Sequence, residues 1–93
     1  MKILKNTTVS DIFIIDVGIN LLASTNYTIP PQEYNMWAAS TNIDTYIDNG
    51  NIVVNDGYDD LKIDLAKKNI HNGTERESNY IVSASLVTLT NST

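Results

Sequence analysis

The side chains that could do chemistry are few. The chain holds one histidine (His71), one arginine (Arg76) and no cysteine. Enzymatic proton transfer and nucleophilic attack draw mostly on His, Cys or a charged group with a positioned base. His71 sits in Ile70-His71-Asn72-Gly73, a turn-like stretch, with no Ser or Cys beside it in a nucleophile pattern. It reads as a surface histidine. Aspartates are more numerous: Asp44, Asp48, Asp56, Asp59, Asp60 and Asp64, with Asn55, offer oxygens of the kind calcium takes. Asn55-Asp56-Gly57-Tyr58-Asp59-Asp60 nevertheless lacks the alternate-residue ligands and distal Glu of an EF-hand loop. Asn, Asp and Gly are turn formers in their own right. A carboxylate pair for glycoside hydrolysis could be drawn from almost any two of these residues, without a concave, aromatic-lined scaffold to serve it. Zinc would need several carboxylates beside the lone His. This inventory predicts no catalytic residue, no cofactor and no metal site.

Aromatic residues are the other candidates. Tyr and Trp are favoured anchors at interfaces and in sugar sites, and the chain places Tyr27, Tyr34, Trp37, Tyr46 and Tyr58 in its first two thirds. Trp37, between Met36 and Ala38-Ala39, is expected to plug the core. Tyr34 and Tyr58 are expected to be partly exposed and are interface candidates.

The elements that must position these groups are short. Residues 1–6 read as a first strand, and residues 9–17 carry the strongest strand signal, with Ile12, Phe13, Ile14 and Ile15 in succession, a run that suits a strand covered on both faces. After Gly18, residues 19–22 and then 27–29 resume the pattern, which predicts an antiparallel meander with connections of two to four residues. Pro30-Pro31 ends it, and Glu33 favours the N-terminal end of a short helix over 33–39, with Met36, Trp37 and Ala39 or Ser40 facing the sheet. Ile43, Tyr46 and Ile47 at i, i+3, i+4 predict a second short helix over 43–48, capped by Thr41 or Asn42 and ended by Gly50. The competing reading there is a hairpin turning at Asn49-Gly50. Residues 51–55 are a strand. Residues 61–65 alternate apolar and charged, which predicts a half-buried strand pairing back across Asp56-Gly57; a helix through Lys68 is the alternative. Ile12, Ile14, Trp37, Ile47 and Val53 are the predicted core.

Residues 75–79 are polar and read as a linker. Residues 80–90 are β-prone and apolar on both faces, which suits pairing within a sheet or with a neighbouring chain. Tyr80, Ile81, Val82, Leu86, Val87 and Leu89 are therefore interface candidates too. The expected organisation is a compact β-rich domain over 1–74, of α+β and mainly β class, a meander or small sandwich with one or two short helices near 32–48. A linker and C-terminal strand follow over 75–93.

Size and charge narrow the partners. A chain of 93 residues buries only about 60–65% of its unfolded surface, which leaves a stability of about 3–5 kcal/mol. Without cysteine there are no disulfides to supplement it, so oligomerisation is the expected supplement. A net charge of −5 with scattered basic residues argues against nucleic acid. The run Ile12 to Ile15 is too short for a signal or membrane segment, so synthesis in the cytoplasm without a signal peptide is expected. Asn-x-Ser/Thr triplets at Asn6, Asn26, Asn72 and Asn91 follow from composition.

Several short pieces occur in a telling order: Asn6-Thr7-Thr8, Ser10-Asp11-Ile12-Phe13-Ile14, Asp16-Val17-Gly18-Ile19, Ala23-Ser24, Tyr27-Thr28-Ile29, Glu33-Tyr34, Trp37-Ala38-Ala39-Ser40, and Ile52-Val53-Val54-Asn55-Asp56-Gly57 with Asp60-Leu61. From Asn6 to about Asp64 this order resembles a small module of tailed-bacteriophage virion proteins. The resemblance implies a building block of the particle, a fibre or spike base, an adaptor or a capsid decoration, acting as a symmetric oligomer among other virion proteins and without catalytic residues. The chain departs from the pattern after Lys62, where a helix-like ending gives way to Lys67-Lys68-Asn69 and the β-prone tail. Two other readings compete: a carbohydrate- or receptor-binding module using Tyr34, Trp37 and Tyr58, and a small acidic cytoplasmic regulator.

Overall fold

The computed structural model describes residues 1–73. They form an α+β fold of five short strands and three short helices. The strands are β1 (Ile3–Asn6), β2 (Ile12–Ile14), β3 (Ile19–Leu21), β4 (Asn26–Thr28) and β5 (Ile52–Asn55). The helices are α1 (Tyr34–Ala38), entered through a 3-10 turn at Pro31–Glu33, α2 (Asn42–Asp48) and α3 (Ile63–His71).

All strand pairing is antiparallel, but the order is not sequential. β1 is the central strand of a three-stranded sheet, flanked by β4 and β5, and β2 and β3 form a separate hairpin. Alternation of side chains across a strand explains the core. Leu4 of β1, Ile12 and Ile14 of β2, Leu21 of β3, and Ile52 and Val54 of β5 all point inward. They meet Ile29, Tyr34, Trp37, Ile43, Ile47, Ala66 and Ile70 in one cluster. Val53 was expected in this core. It lies on the opposite face of β5 and is only half-buried. Its own face is marked by the polar residues Asn51 and Asn55, two positions to either side.

The strand expected over 9–17 contracts to Ile12–Ile14, because a hydrogen-bonded loop precedes it and a turn over 15–18 follows it. The helix expected over 43–48 is present, and Gly50, at φ +82°, ends it in the left-handed conformation that costs glycine least.

The strand expected over 61–65 is a helix instead. The chain does turn back on β5 for one step, through an Asn55–Asp60 bridge and a 2.8 Å bond from the Leu61 N–H to the Val54 carbonyl. It then coils into α3, which buries Ala66 and Ile70, one turn apart, against α1, α2 and β5. Ile63 and Leu65, which carried the alternating pattern, stay exposed. The predicted arm, with Tyr80, Ile81, Val82, Leu86, Val87 and Leu89, lies outside the described residues.

Burial separates two neighbouring strand positions sharply. Ile14→Ala should lower unfolding free energy by about 2–5 kcal/mol, whereas Val53→Ala should cost about 1 kcal/mol or less. Urea denaturation followed by Trp37 fluorescence checks both.

Candidate functional site

Two features stand out from the scaffold: a set of polar side chains that tie short elements together, and an apolar face that none of the described residues covers. The ties begin at Asn6, a buried side chain at the end of β1. Its amide donates to the carbonyls of Ser10 (2.9 Å) and Leu21 (3.0 Å), and its oxygen accepts from the N–H (2.9 Å) and hydroxyl (2.8 Å) of Thr8. The loop into the hairpin and the hairpin's second strand are thus fixed to the central strand. Every polar atom of the amide that burial removes from water regains a partner.

Asp16, in the turn between β2 and β3, does the same for the helices. Its carboxylate accepts from the Ser40 hydroxyl (2.8 Å), the Thr41 N–H (2.8 Å) and the Asn42 N–H (3.1 Å). Thr41 itself makes no side-chain cap to α2. Asp16 therefore supplies the negative charge and acceptor that a helix N-terminus needs, from a distant part of the chain. Burial pushes this carboxyl up, and the bonds from Asn42, Ser40 and Thr41 outweigh it, holding its pKa below the ordinary value.

His71 closes the other end. Its Nδ1 lies 2.8 Å from the Ala38 carbonyl at the end of α1, and its Nε2 lies 2.7 Å from the Asp44 carboxylate of α2. Both partners are acceptors, so only the imidazolium, which donates from both nitrogens, satisfies both. The Ala38 bond raises the pKa, burial opposes it, Asp44 raises it further by hydrogen bond and charge, and Lys67 works against it; the result is upward. The sequence suggested a surface histidine. One third of the side chain is exposed, yet it joins the ends of three helices.

Two further ion pairs cross elements: Lys67 with Asp48 (2.6 Å) and Lys5 with Asp60 (2.9 Å), the latter also bonded by Asn55. Lys2 is buried. Its ammonium donates to the Asn69 carbonyl in the last turn of α3 and lies 5.1 Å from the centre of the Tyr34 ring. Among the described residues no group of three or more His, Asp or Glu side chains is placed to hold a metal ion.

The aromatic candidates do not come together. Trp37 is fully buried, its indole N–H 3.2 Å from Glu33 and its ring 6.2 Å from that of Tyr27. Tyr27 also donates to Glu33, at 2.6 Å, and burial followed by the Glu33 bond and charge pushes its phenol up to about 12. Tyr34, expected to be exposed, is only 6% exposed. It stands three residues before Trp37 on the same helical face, a spacing visible in the sequence. Met36 faces outward instead of toward the sheet. Tyr58 alone is free of the core, 90% exposed at the tip of the loop after β5.

The hairpin corrects the expectation that the strand over 9–17 is covered on both faces. Ile12, Ile14 and Leu21 point inward, so Phe13 points out, opposite Asn20. Leu22, one residue beyond β3, continues the same alternation, and Ile15 opens the turn after β2. The three apolar residues are 53%, 73% and 57% exposed, respectively for Phe13, Ile15 and Leu22. The signal was the run Ile12 to Ile15, four large apolar residues of which one sheet face can bury only every second.

The ties titrate with opposite sign. His71, with its folded pKa above the ordinary 6.5, contributes stability in full below that value and loses it as pH rises through the folded pKa. Asp16, with a depressed pKa, contributes above the ordinary carboxylate range and loses it as pH falls through its folded value. The melting-temperature gap between wild type and His71→Ala should be widest below about pH 6 and narrow toward about pH 9. The gap for Asp16→Asn should instead close only in acid. Circular dichroism melts across pH check both; a His71 gap that does not change above neutrality would show that neutral imidazole suffices.

Compared with known proteins, the chain matches no family model, no curated protein and no solved structure.

Proposed function

We propose that this protein is a non-enzymatic structural component of a bacteriophage particle, which oligomerises and docks on other capsid, neck or tail proteins. The observation that carries the assembly reading is the uncovered trio Phe13, Ile15 and Leu22 on the β2–β3 hairpin and its turn. Exposed large apolar residues grouped on one rigid face mark protein-contact sites more often than isolated ones do. The occupant of this face is another copy of the same chain. A small core with no disulfide gains stability from such burial, and symmetric repetition multiplies weak contacts into avidity.

The ionised side chains support a scaffold role: Asp16, Asp44, His71, Lys67, Asp48, Lys5 and Asp60 are all engaged in holding elements together. The particle setting rests on the likeness of residues 6–64 to the virion module. Synthesis in a host cytoplasm followed by incorporation into the particle belongs to that setting. The sugar-binding alternative has lost Tyr34 and Trp37 to the core and keeps only Tyr58 on the surface.

Light scattering should give the wild-type protein a discrete oligomeric mass. Phe13→Asp should lower that mass to the monomer with an unchanged far-ultraviolet spectrum. A monomeric wild type overturns the self-assembly reading. Mass spectrometry of purified particles from the source phage should find the protein in fixed proportion to the major capsid protein; its absence overturns the particle setting.

A further inference from the structure

We propose that α3 is a pH-controlled latch: protonated His71 holds it on α1 and α2, and loss of that proton frees it from its seat while the sheet and the hairpin stay folded. This assigns the pH dependence of stability to the opening of one element, and it does not rest on the assembly reading.

The way α3 is held is the first support. To the core cluster it supplies only Ala66 and Ile70, while its Ile63 and Leu65 stay exposed. Its nine residues are too few for a helix to persist alone, and no side chain caps its N-terminus at Lys62. The other holds are polar. Lys67 pairs with Asp48, the Lys2 ammonium donates to the Asn69 carbonyl, and His71 spans the Ala38 carbonyl and the Asp44 carboxylate. Gly73, at φ +74°, brings the end of the helix so near α1 that a Cβ would stand 3.1 Å from the Asn35 side chain. By contrast, α1 and α2 supply Tyr34, Trp37, Ile43 and Ile47 to the core, and the corner between them is tied to the hairpin through Asp16. An element with few buried apolar side chains opens at a lower free energy than the rest of the molecule.

The chemistry of the hold is the second support. The Ala38 and Asp44 oxygens accept only, and the two ring nitrogens of His71 stand 2.8 and 2.7 Å from them. A neutral ring has one N–H, so in either tautomer one nitrogen lone pair faces an oxygen. The surrounding charges come from every side. α2 presents Asp44 and Asp48, α3 presents Asp64, Lys67 and Lys68, and β1 is preceded by Lys2, which reaches Asn69. α1 and β5 carry no charged residue, and the one titratable side chain on α1 is the Tyr34 phenol. Ordinary carboxylates, phenols and ammoniums do not titrate between pH 6 and about 9, whereas imidazole does. The Ala38 bond first, then Asp44, outweigh burial and Lys67 and move the His71 change above 6.5.

Amide hydrogen exchange on the full chain from pH 6 to about 9, expressed as protection relative to intrinsic rates, tests the latch. The Ala66 N–H, 2.7 Å from the Lys62 carbonyl, and the Ile70 N–H report on α3. The Asn6 and Ile29 N–H groups, bonded at 3.0 and 2.8 Å across the sheet, report on the remainder. The expected result is α3 protection that falls by up to about tenfold per pH unit above 6.5 and levels off above the folded pKa. Asn6 and Ile29 should stay at least about tenfold better protected than α3 at every pH. His71→Gln has no titrating ring, so its α3 protection should sit at the low wild-type plateau from pH 6 upward. Asp44→Asn keeps an oxygen acceptor without the charge, so its fall should level off at a lower pH than in wild type. Wild-type α3 protection that is flat across the range overturns the latch. So does one shared protection value for α3 and sheet amides, which marks a single global event. A pH slope that survives in His71→Gln assigns the titration to another group and also overturns it. If His71→Gln does not fold, the wild-type and Asp44→Asn series decide between these outcomes.

Discussion

The contact between Asp16 and residues 40–42 is the one that the rest of the structure leans on. None of the three helices is long enough to hold itself together in water, since isolated helices below about 12–15 residues are marginal. A two-stranded hairpin is equally marginal alone. The carboxylate in the hairpin turn is the N-terminal cap that α2 lacks, and the helix in turn orders the hairpin turn. The Ser40 hydroxyl passes the same connection inward, donating to Asp16 while accepting from the Ile43 N–H. Two weak elements are made into one stable unit by a single charged group that remains near the surface.

The same economy appears elsewhere. Asn6 binds the central strand to the hairpin from the opposite side, and Glu33 collects Tyr27 and Trp37 on one oxygen. The polar residues that dominate this composition are thus not all solvent decoration. Several replace the apolar volume that a domain of this size cannot supply, and they do so at positions where leaving them unpaired would be costly. That arrangement also explains why the aromatic set resists a ligand-binding reading: four of the five aromatics named in the first two thirds of the sequence are held by core packing or core-side hydrogen bonds, and Tyr58 stands apart.

Much of the architecture was legible in the sequence because periodicity records burial directly. Ile43, Tyr46 and Ile47 announced α2, Gly50 announced its end, and Ile12 and Ile14 announced the buried side of β2. The misreadings have particular causes. Residues 61–65 alternate perfectly as a strand, but Ala66 and Ile70 lie beyond that window, and it is they that reach the core. Val53 has apolar neighbours on both sides in sequence, so composition could not say which of the three faced inward, and Tyr34 was read by residue type, although its i, i+3 spacing to Trp37 places both on one helical face. The strand partners and the reach of Asp16 and His71 were not legible at all. Hydrogen bonds between residues 24 to 33 positions apart leave no local pattern.

The placement of β1 at the centre of its sheet bears on how the chain folds. Ile3 pairs with Thr28 on one side and with Asn55 on the other, and the Lys2 ammonium meets a carbonyl 67 positions away. Closing loops of that length carries an entropic cost before any contact rewards it. During synthesis β1 must wait for β5 before its second edge is covered, and α3 must follow before the Lys2 charge finds its carbonyl. The β2–β3 hairpin, whose partners are adjacent in sequence, can form early. Its partners being local, the hairpin needs only the stretch as far as residue 42 to gain the Asp16 contacts that hold it, whereas the sheet needs residue 55 and the Lys2 contact needs residue 69.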